Sequence, residues 1–204
     1  MKGKKSNVFI YMILTILAVV FLAPIFIILF NSFKGKLYIS DAPFKLPTAE
    51  TFSGLQNYID GLSKTGFLSA FGWSIFITFF STIVIVLFTA MTGWYITRSK
   101  TKVSTSLYFI FVFSMIVPFQ MVMFTMSKVA NMLNLDNPVG LIVLYLGFGA
   151  GLSIFMFSGF VKSIPIDIEE AALIDGCNPI KTFFLIVLPL LKPICITVAI
   201  LNVM

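Results

Sequence analysis

Apolar residues occur along this chain in long unbroken blocks, with polar clusters between them. Uncharged stretches cover residues 6–33, 65–97, 103–127 and 137–161. Each exceeds the roughly 20 residues that a helix needs to cross a hydrocarbon core about 30 Å thick. Four complete transmembrane helices are predicted, in an all-α membrane protein. A further apolar run of 12 residues follows Lys192 and ends at Met204. It amounts to about 18 Å of helix, so the start of a fifth span is expected, with the chain stopping inside it.

Two departures from the apolar pattern carry structural signals. In the polar segment after the fourth block, Asp167 is a good N-cap before Ile168, and Glu170 stands three residues on, where a carboxylate reaches back to the cap. Gly176 suits the left-handed position that ends a helix, and Asn178-Pro179 then restarts one. A helix, a tight turn and a second short helix are therefore expected in a loop of about residues 162–187. Ala171 and Ala172 leave a low-relief patch flanked by Ile168, Leu173 and Ile174, a shape suited to a partner's cleft. Within the third block, Pro118 removes a backbone donor and should loosen the helix near Gln120. That amide is costly to face lipid, so Gln120 is expected to face protein or a pathway. In residues 31–64, Phe52, Leu55, Tyr58 and Leu62 at helical spacing predict an amphipathic surface helix.

Composition agrees: 59% of residues are hydrophobic, 24 are Phe and only 11% are charged, with a mean hydropathy of +1.04. These values lie outside the soluble range. The N-terminal apolar run is too long for a signal peptide's core and lacks a small-residue cleavage site, so it reads as a retained first helix. Lys2, Lys4, Lys5, Arg98, Lys100, Lys102, Lys162, Lys181 and Lys192 fall on one side of the predicted spans, against Lys34, Lys36, Lys45, Lys64 and Lys128 on the other. The excess of basic residues marks the cytoplasmic side, which puts the N-terminus and the loop at 162–187 inside. The net charge of +6 is accounted for by this orientation, and its scatter over the loops gives no nucleic-acid signature.

The chemistry of catalysis is missing. The chain has no histidine, its carboxylates lie in loops, and neither a metal-ligand spacing nor a nucleophile–base set is present; no metal and no cofactor are expected. Cys177 and Cys195 lie on the predicted cytoplasmic side or just within the membrane and read as plain small residues. None of the four complete blocks contains an ionisable Asp, Glu, Lys or Arg, although ion-coupled carriers normally keep one. No phosphate-binding Gly-Lys-Ser/Thr loop is present either. A transporter built this way draws its energy from a separate ATPase.

Glu170, Ala171, Ala172, Gly176, Ile186, Leu188 and Pro189 occupy every position of the Glu-Ala-Ala, Gly, Ile-x-Leu-Pro pattern, and the segment resembles the EAA loop of permease subunits of ATP-binding-cassette (ABC) importers. Further pieces, Asn31-Ser32-Phe33-Lys34, Leu55-Gln56-Asn57-Tyr58, Ile116-Val117-Pro118 and Gly159-Phe160, are similar to carbohydrate-importer permeases of the maltose type. The resemblance implies the binding-protein-dependent importer fold of six transmembrane helices, in one permease domain over residues 1–204, in a bacterial inner membrane. It implies an ATPase-coupling role for Glu169, Glu170, Ala171, Ala172, Asp175, Gly176, Ile186, Leu188 and Pro189. Implied partners are a second permease subunit, a cytoplasmic ATPase dimer, an extracytoplasmic solute-binding protein and membrane lipid. Alternatives are a permease for a non-sugar solute, an ion-coupled secondary carrier, and a membrane-anchored assembly or sensor protein.

Overall fold

The computed structural model describes residues 3–204, with side chains from Val8 onward. Lys2, Lys4 and Lys5, which help to set the expected orientation, therefore lie outside the described side chains. Contacts divide the chain into two compact units, Met1–Phe71 and Gly72–Met204, and each is described by itself.

The first unit begins with α1 (Gly3–Asn31), apolar all round, as befits a helix surrounded by lipid. Beyond it come α2 (Lys36–Asp41) and α3 (Gln56–Lys64). The Asn31-Ser32-Phe33-Lys34 and Leu55-Gln56-Asn57-Tyr58 pieces interlock here. Asn57 donates from its amide to the carbonyls of Ser32 (2.9 Å) and Lys34 (2.6 Å), and the Ser32 and Tyr58 hydroxyls lie 2.6 Å apart. Lys34 is only 1% exposed. Its ammonium donates to Asn31 Oδ1 (2.9 Å) and the Ala42 carbonyl (2.8 Å) and sits 5.1 Å from the centre of the Phe30 ring. Oxygen lone pairs and the ring face thus replace the hydration that burial removes. The predicted amphipathic helix is present only in part, as α3 with Tyr58 and Leu62; Leu55 is its N-cap and Phe52 pairs instead with Lys34 in an isolated bridge. Within α3, Lys64 pairs with Asp60 at 2.8 Å and holds its carboxyl below the usual carboxylate range.

In the second unit, α4 (Phe67–Ser99, its first turn in the other unit) and α7 (Pro138–Val161) are unbroken helices long and apolar enough to cross a bilayer, as is Val8–Asn31 of α1. The third predicted span is instead two helices, α5 (Lys102–Ser114) and α6 (Phe119–Met132), bent by 106°. Pro118 supplies no N–H and disfavours the helical conformation at Val117 before it, and its own backbone is extended (ψ 136°), so the helix ends rather than loosens. The described residues accordingly hold three helices long and apolar enough to cross a bilayer, or up to five such elements if each bent pair counts as one.

After α7 come α8 (Ile166–Ile174), α9 (Pro179–Thr182), a π-helical turn (Phe183–Val187), α10 (Leu188–Leu190) and α11 (Lys192–Val203). The two halves of the last pair are bent by 77°. Pro193 has no N–H to offer the Pro189 carbonyl four residues back, which ends the preceding helix. Ala90 of α4, Phe157 and Val161 of α7, Phe183 and Val187 of the π-turn and Val198 of α11 form the core of this unit. Gly93 permits the close crossing of α4 and α7, since a Cβ there would stand 2.8 Å from that of Phe157. Hydrocarbon tails compete equally for apolar surface, so close approach at small residues gives these helices their specificity.

Candidate functional site

The predicted helix–turn–helix is present, with one correction at its start. The N-cap of α8 is Pro165, and Asp167 stands inside the first turn. Pro165 fixes the entry without a side-chain cap, because its own φ suits the position and the chain arrives from a turn after α7. The expected capping contact from Glu170 is therefore replaced by a favourable interaction of Asp167 and Glu169 with the positive end of the helix.

The end of α8 follows the sequence closely. Gly176 has φ +85°, its N–H donates to the Leu173 carbonyl at 3.1 Å, and that of Cys177 donates to the Ala172 carbonyl at 2.9 Å. This pair of bonds is the Schellman arrangement, which uses carbonyls the helix leaves over. Asn178 then caps α9, its side chain accepting from the Lys181 amide at 2.8 Å.

The coupling residues named from sequence separate into two faces. Glu169 and Ala172, three apart, are buried, whereas Glu170, Ala171, Leu173, Asp175 and Gly176 are exposed and Ile174 is 86% exposed. Ile186 and Leu188 are half-buried beyond the turn, and Pro189 is exposed. Glu169, grouped by its sequence with the outward coupling residues, is 6% exposed and faces its own chain.

Its partners lie on the last two turns of α4. Arg98 donates to Glu169 Oε1 from Nη2 at 2.7 Å and from Nε at 3.0 Å, while Trp94 Nε1 donates to Oε2 at 2.9 Å. Arg98 Nη2 also reaches the carbonyl of Ile164, in the connection from α7, at 2.9 Å. Trp94 in turn packs on Phe183, with ring centres 5.5 Å apart. Trp94 and Arg98 are four apart and share a helix face, so both arms of the loop converge on one stripe of α4. Sequence reasoning uses Arg98 only as a topology marker and passes over Trp94. An arginine among lysines one turn beyond a tryptophan is the available signal, arginine being the residue suited to a fixed carboxylate.

A second feature lies elsewhere in this unit. A cavity of about 500 Å³ is lined from α4 by Ser74, Thr78, Ser81 and Thr82, from α7 by Tyr145 and Phe148, and from α11 by Asn202, with other residues. Ser81 is 4% exposed and its hydroxyl has no hydrogen-bond partner. Buried hydroxyls are normally paired, so an orphan on a cavity wall is a place for a ligand's polar group. Asn202 donates to Ser153 Oγ (3.2 Å) and to the Val198 carbonyl (2.8 Å), leaving its Oδ1 as an acceptor. Gln120, the pathway candidate, is exposed on the first turn of α6 and does not line this cavity. The hydroxyl stripe is hidden in sequence, because Ser and Thr within an apolar helix read as lipid-tolerant spacers.

A helical membrane protein with a tethered polar helix pair at one end and a hydroxyl-lined cavity among its long helices has the organisation of a transport permease. Residues 87–204 match the binding-protein-dependent transport system inner membrane component, and the chain belongs to that family. It is a multi-pass protein of the inner membrane and a transport subunit, not itself an enzyme. The chain is 38% identical over 189 residues to a probable starch degradation products transport system permease protein of Thermoanaerobacterium thermosulfurigenes, covering 93% of this chain and 68% of that protein. To a multiple sugar-binding transport system permease protein of Streptococcus mutans it is 34% identical over 205 residues, covering 98% of this chain and 73% of that one. Among solved structures, a bacterial ABC transporter involved in the import of the acidic polysaccharide alginate matches with a TM-score of 0.80 over 99% of this chain and 70% of that chain. At 23% identity, that likeness establishes the fold.

Proposed function

We propose that this chain is the permease subunit of an ATP-driven importer of sugars or oligosaccharides, supplying half of a translocation pathway and receiving a separate ATPase dimer on the loop at 162–187. The observation that carries the reading is the outward face of α8. Glu170 and Asp175 flank exposed Leu173 and Ile174, a mixed apolar and acidic surface on a rigidly capped helix. An exposed apolar patch with a polar rim is a docking surface in character. A second permease subunit and an extracytoplasmic binding protein complete the assembly, and the N-terminus and this loop are cytoplasmic.

The sugar assignment draws on the relatives named for starch products and multiple sugars and on the cavity. Hydroxyls along α4 and the Asn202 amide suit polyol hydrogen bonding, while Tyr145 and Phe148 offer ring faces to the C–H face of a pyranose. The test is uptake of a labelled malto-oligosaccharide by cells carrying the full importer. Uptake should stop when the ATPase is inactivated and persist when proton and sodium gradients are collapsed at maintained ATP. Loss of uptake on gradient collapse alone would instead identify an ion-coupled carrier.

A further inference from the structure

We propose that Arg98, Glu169 and Trp94 form a mechanical link that makes α8 and α4 move as one body, so that displacement of the outward face of α8 is delivered to the cavity wall. The proposal rests on the reading that α8 receives the ATPase.

The geometry supports a link stiffer than a surface ion pair. Both carboxylate oxygens of Glu169 are engaged, Oε1 by two guanidinium nitrogens and Oε2 by the indole, so the carboxylate cannot turn without losing a bond. The side chains of Arg98 and Glu169 are only 19% and 8% exposed. Charge-assisted bonds are strong in such surroundings, and parting the pair leaves a charge poorly solvated. Arg98 also ties down the Ile164 carbonyl just before α8. The helix is therefore held both at its entry and on its first turns.

On the other side, α4 runs without interruption from Ser74, Thr78 and Ser81 at the cavity to Arg98. The 17 residues from Ser81 to Arg98 correspond to about 25 Å of helix. A rigid element of that length moves its far end when its near end moves. The adjacent glutamates thus have separate roles, Glu170 facing outward for contact and Glu169 facing inward as a positioning residue.

The test uses the full-length permease assembled with its partner permease, ATPase and binding protein in lipid vesicles. Cys177 and Cys195 are replaced by Ser, and spin labels are attached at Tyr95→Cys on α4 and Ile166→Cys on α8, both exposed positions and the second outside the docking patch. With the link intact, the label-to-label distance should be the same without nucleotide and with ATP plus vanadate. In Arg98→Ala the distance should become nucleotide-dependent while the ATPase still co-purifies, and labelled malto-oligosaccharide transported per ATP hydrolysed should fall at least about fivefold. A purely structural role in assembly would instead leave the distance independent of nucleotide and the transport ratio unchanged in whatever complex forms. If Arg98→Ala fails to assemble, Arg98→Lys should show the same changes in smaller measure. A nucleotide-dependent distance in the unmodified pair, or an unchanged distance and transport ratio in the Arg98 variants, overturns the proposal. Failure of the ATPase to bind the unmodified complex overturns the docking reading instead.

Discussion

Glu169 and Glu170 are neighbours in the chain with opposite surroundings: the first is held by Arg98 and Trp94, and the second is exposed on the outer face of α8. Helical geometry turns successive side chains by about 100°, enough to give one carboxylate to the protein interior and the next to the solvent side. The same substitution at the two positions should therefore have different consequences. Glu169→Ala leaves Arg98 without its buried partner and should lower stability by about 3 kcal/mol. Glu170→Ala should change stability by less than about 0.5 kcal/mol and show its effect in ATPase co-purification. Thermal unfolding of the two purified variants checks the contrast, and equal losses would contradict the assigned faces.

Gly176 governs where α9 points. Its φ of +85° and the two bonds that close α8 require a left-handed residue at this position, although nothing lies within 4 Å of an added Cβ. Gly176→Val should therefore cost about 1–2 kcal/mol through backbone strain alone. Membrane insertion should persist while ATPase recovered with the complex falls. A control change at Lys181, exposed on α9, should leave recovery unchanged.

Ser81 offers a test in which stability and transport separate. Its hydroxyl is buried without a partner, so Ser81→Ala removes an unsatisfied group and should be neutral or slightly stabilising. If the hydroxyl serves the solute, the apparent KM for oligosaccharide uptake should rise by roughly tenfold, the worth of one hydrogen bond. Unchanged uptake kinetics would remove Ser81 from the pathway.

Orientation is checked by thiol labelling. Lys100 and Lys181 are expected in the cytoplasm, and α3 outside. Gly61, half-buried on α3 with nothing within 4 Å of an added Cβ, accepts a cysteine without strain. An impermeant reagent applied to intact cells lacking an outer barrier should label Gly61→Cys and spare Lys100→Cys and Lys181→Cys. The reverse pattern would put the α8 loop on the wrong side for an ATPase.

Local structure is legible in the sequence wherever one residue type dictates one backbone state. Gly176, Asn178 and Pro179 end and restart helices where expected, and the long apolar blocks are helices. Two kinds of feature are not legible in this way. Pro118 signals a loosened helix, but whether a proline kinks or ends a helix depends on the neighbours available to take up the freed backbone groups, which no local pattern records. Glu169 groups in sequence with its outward neighbours, because its burial depends on Arg98, 71 residues away. Likewise, the interlock of Asn57 with Ser32 and Lys34 shows why two segments with weak individual signals occur together.

The break at Pro118 bears on how this protein enters the membrane during synthesis. With 13 and 14 residues, α5 and α6 are each about 20 Å long, short of the roughly 30 Å of hydrocarbon. Between them the Met115 and Ile116 amides reach back only three residues, to the Val112 and Phe113 carbonyls (3.2 and 3.0 Å), and Pro118 has no N–H to give, so the helical ladder is incomplete at the break and costly against lipid. A pair broken in this way is poorly suited to leave the insertion machinery alone, as a simple span would. α7, whose Gly151 lies against Ser114 and the Phe111 carbonyl, is placed to shelter it. The order of synthesis, with α7 following at once, makes that shelter available within a few dozen residues of translation.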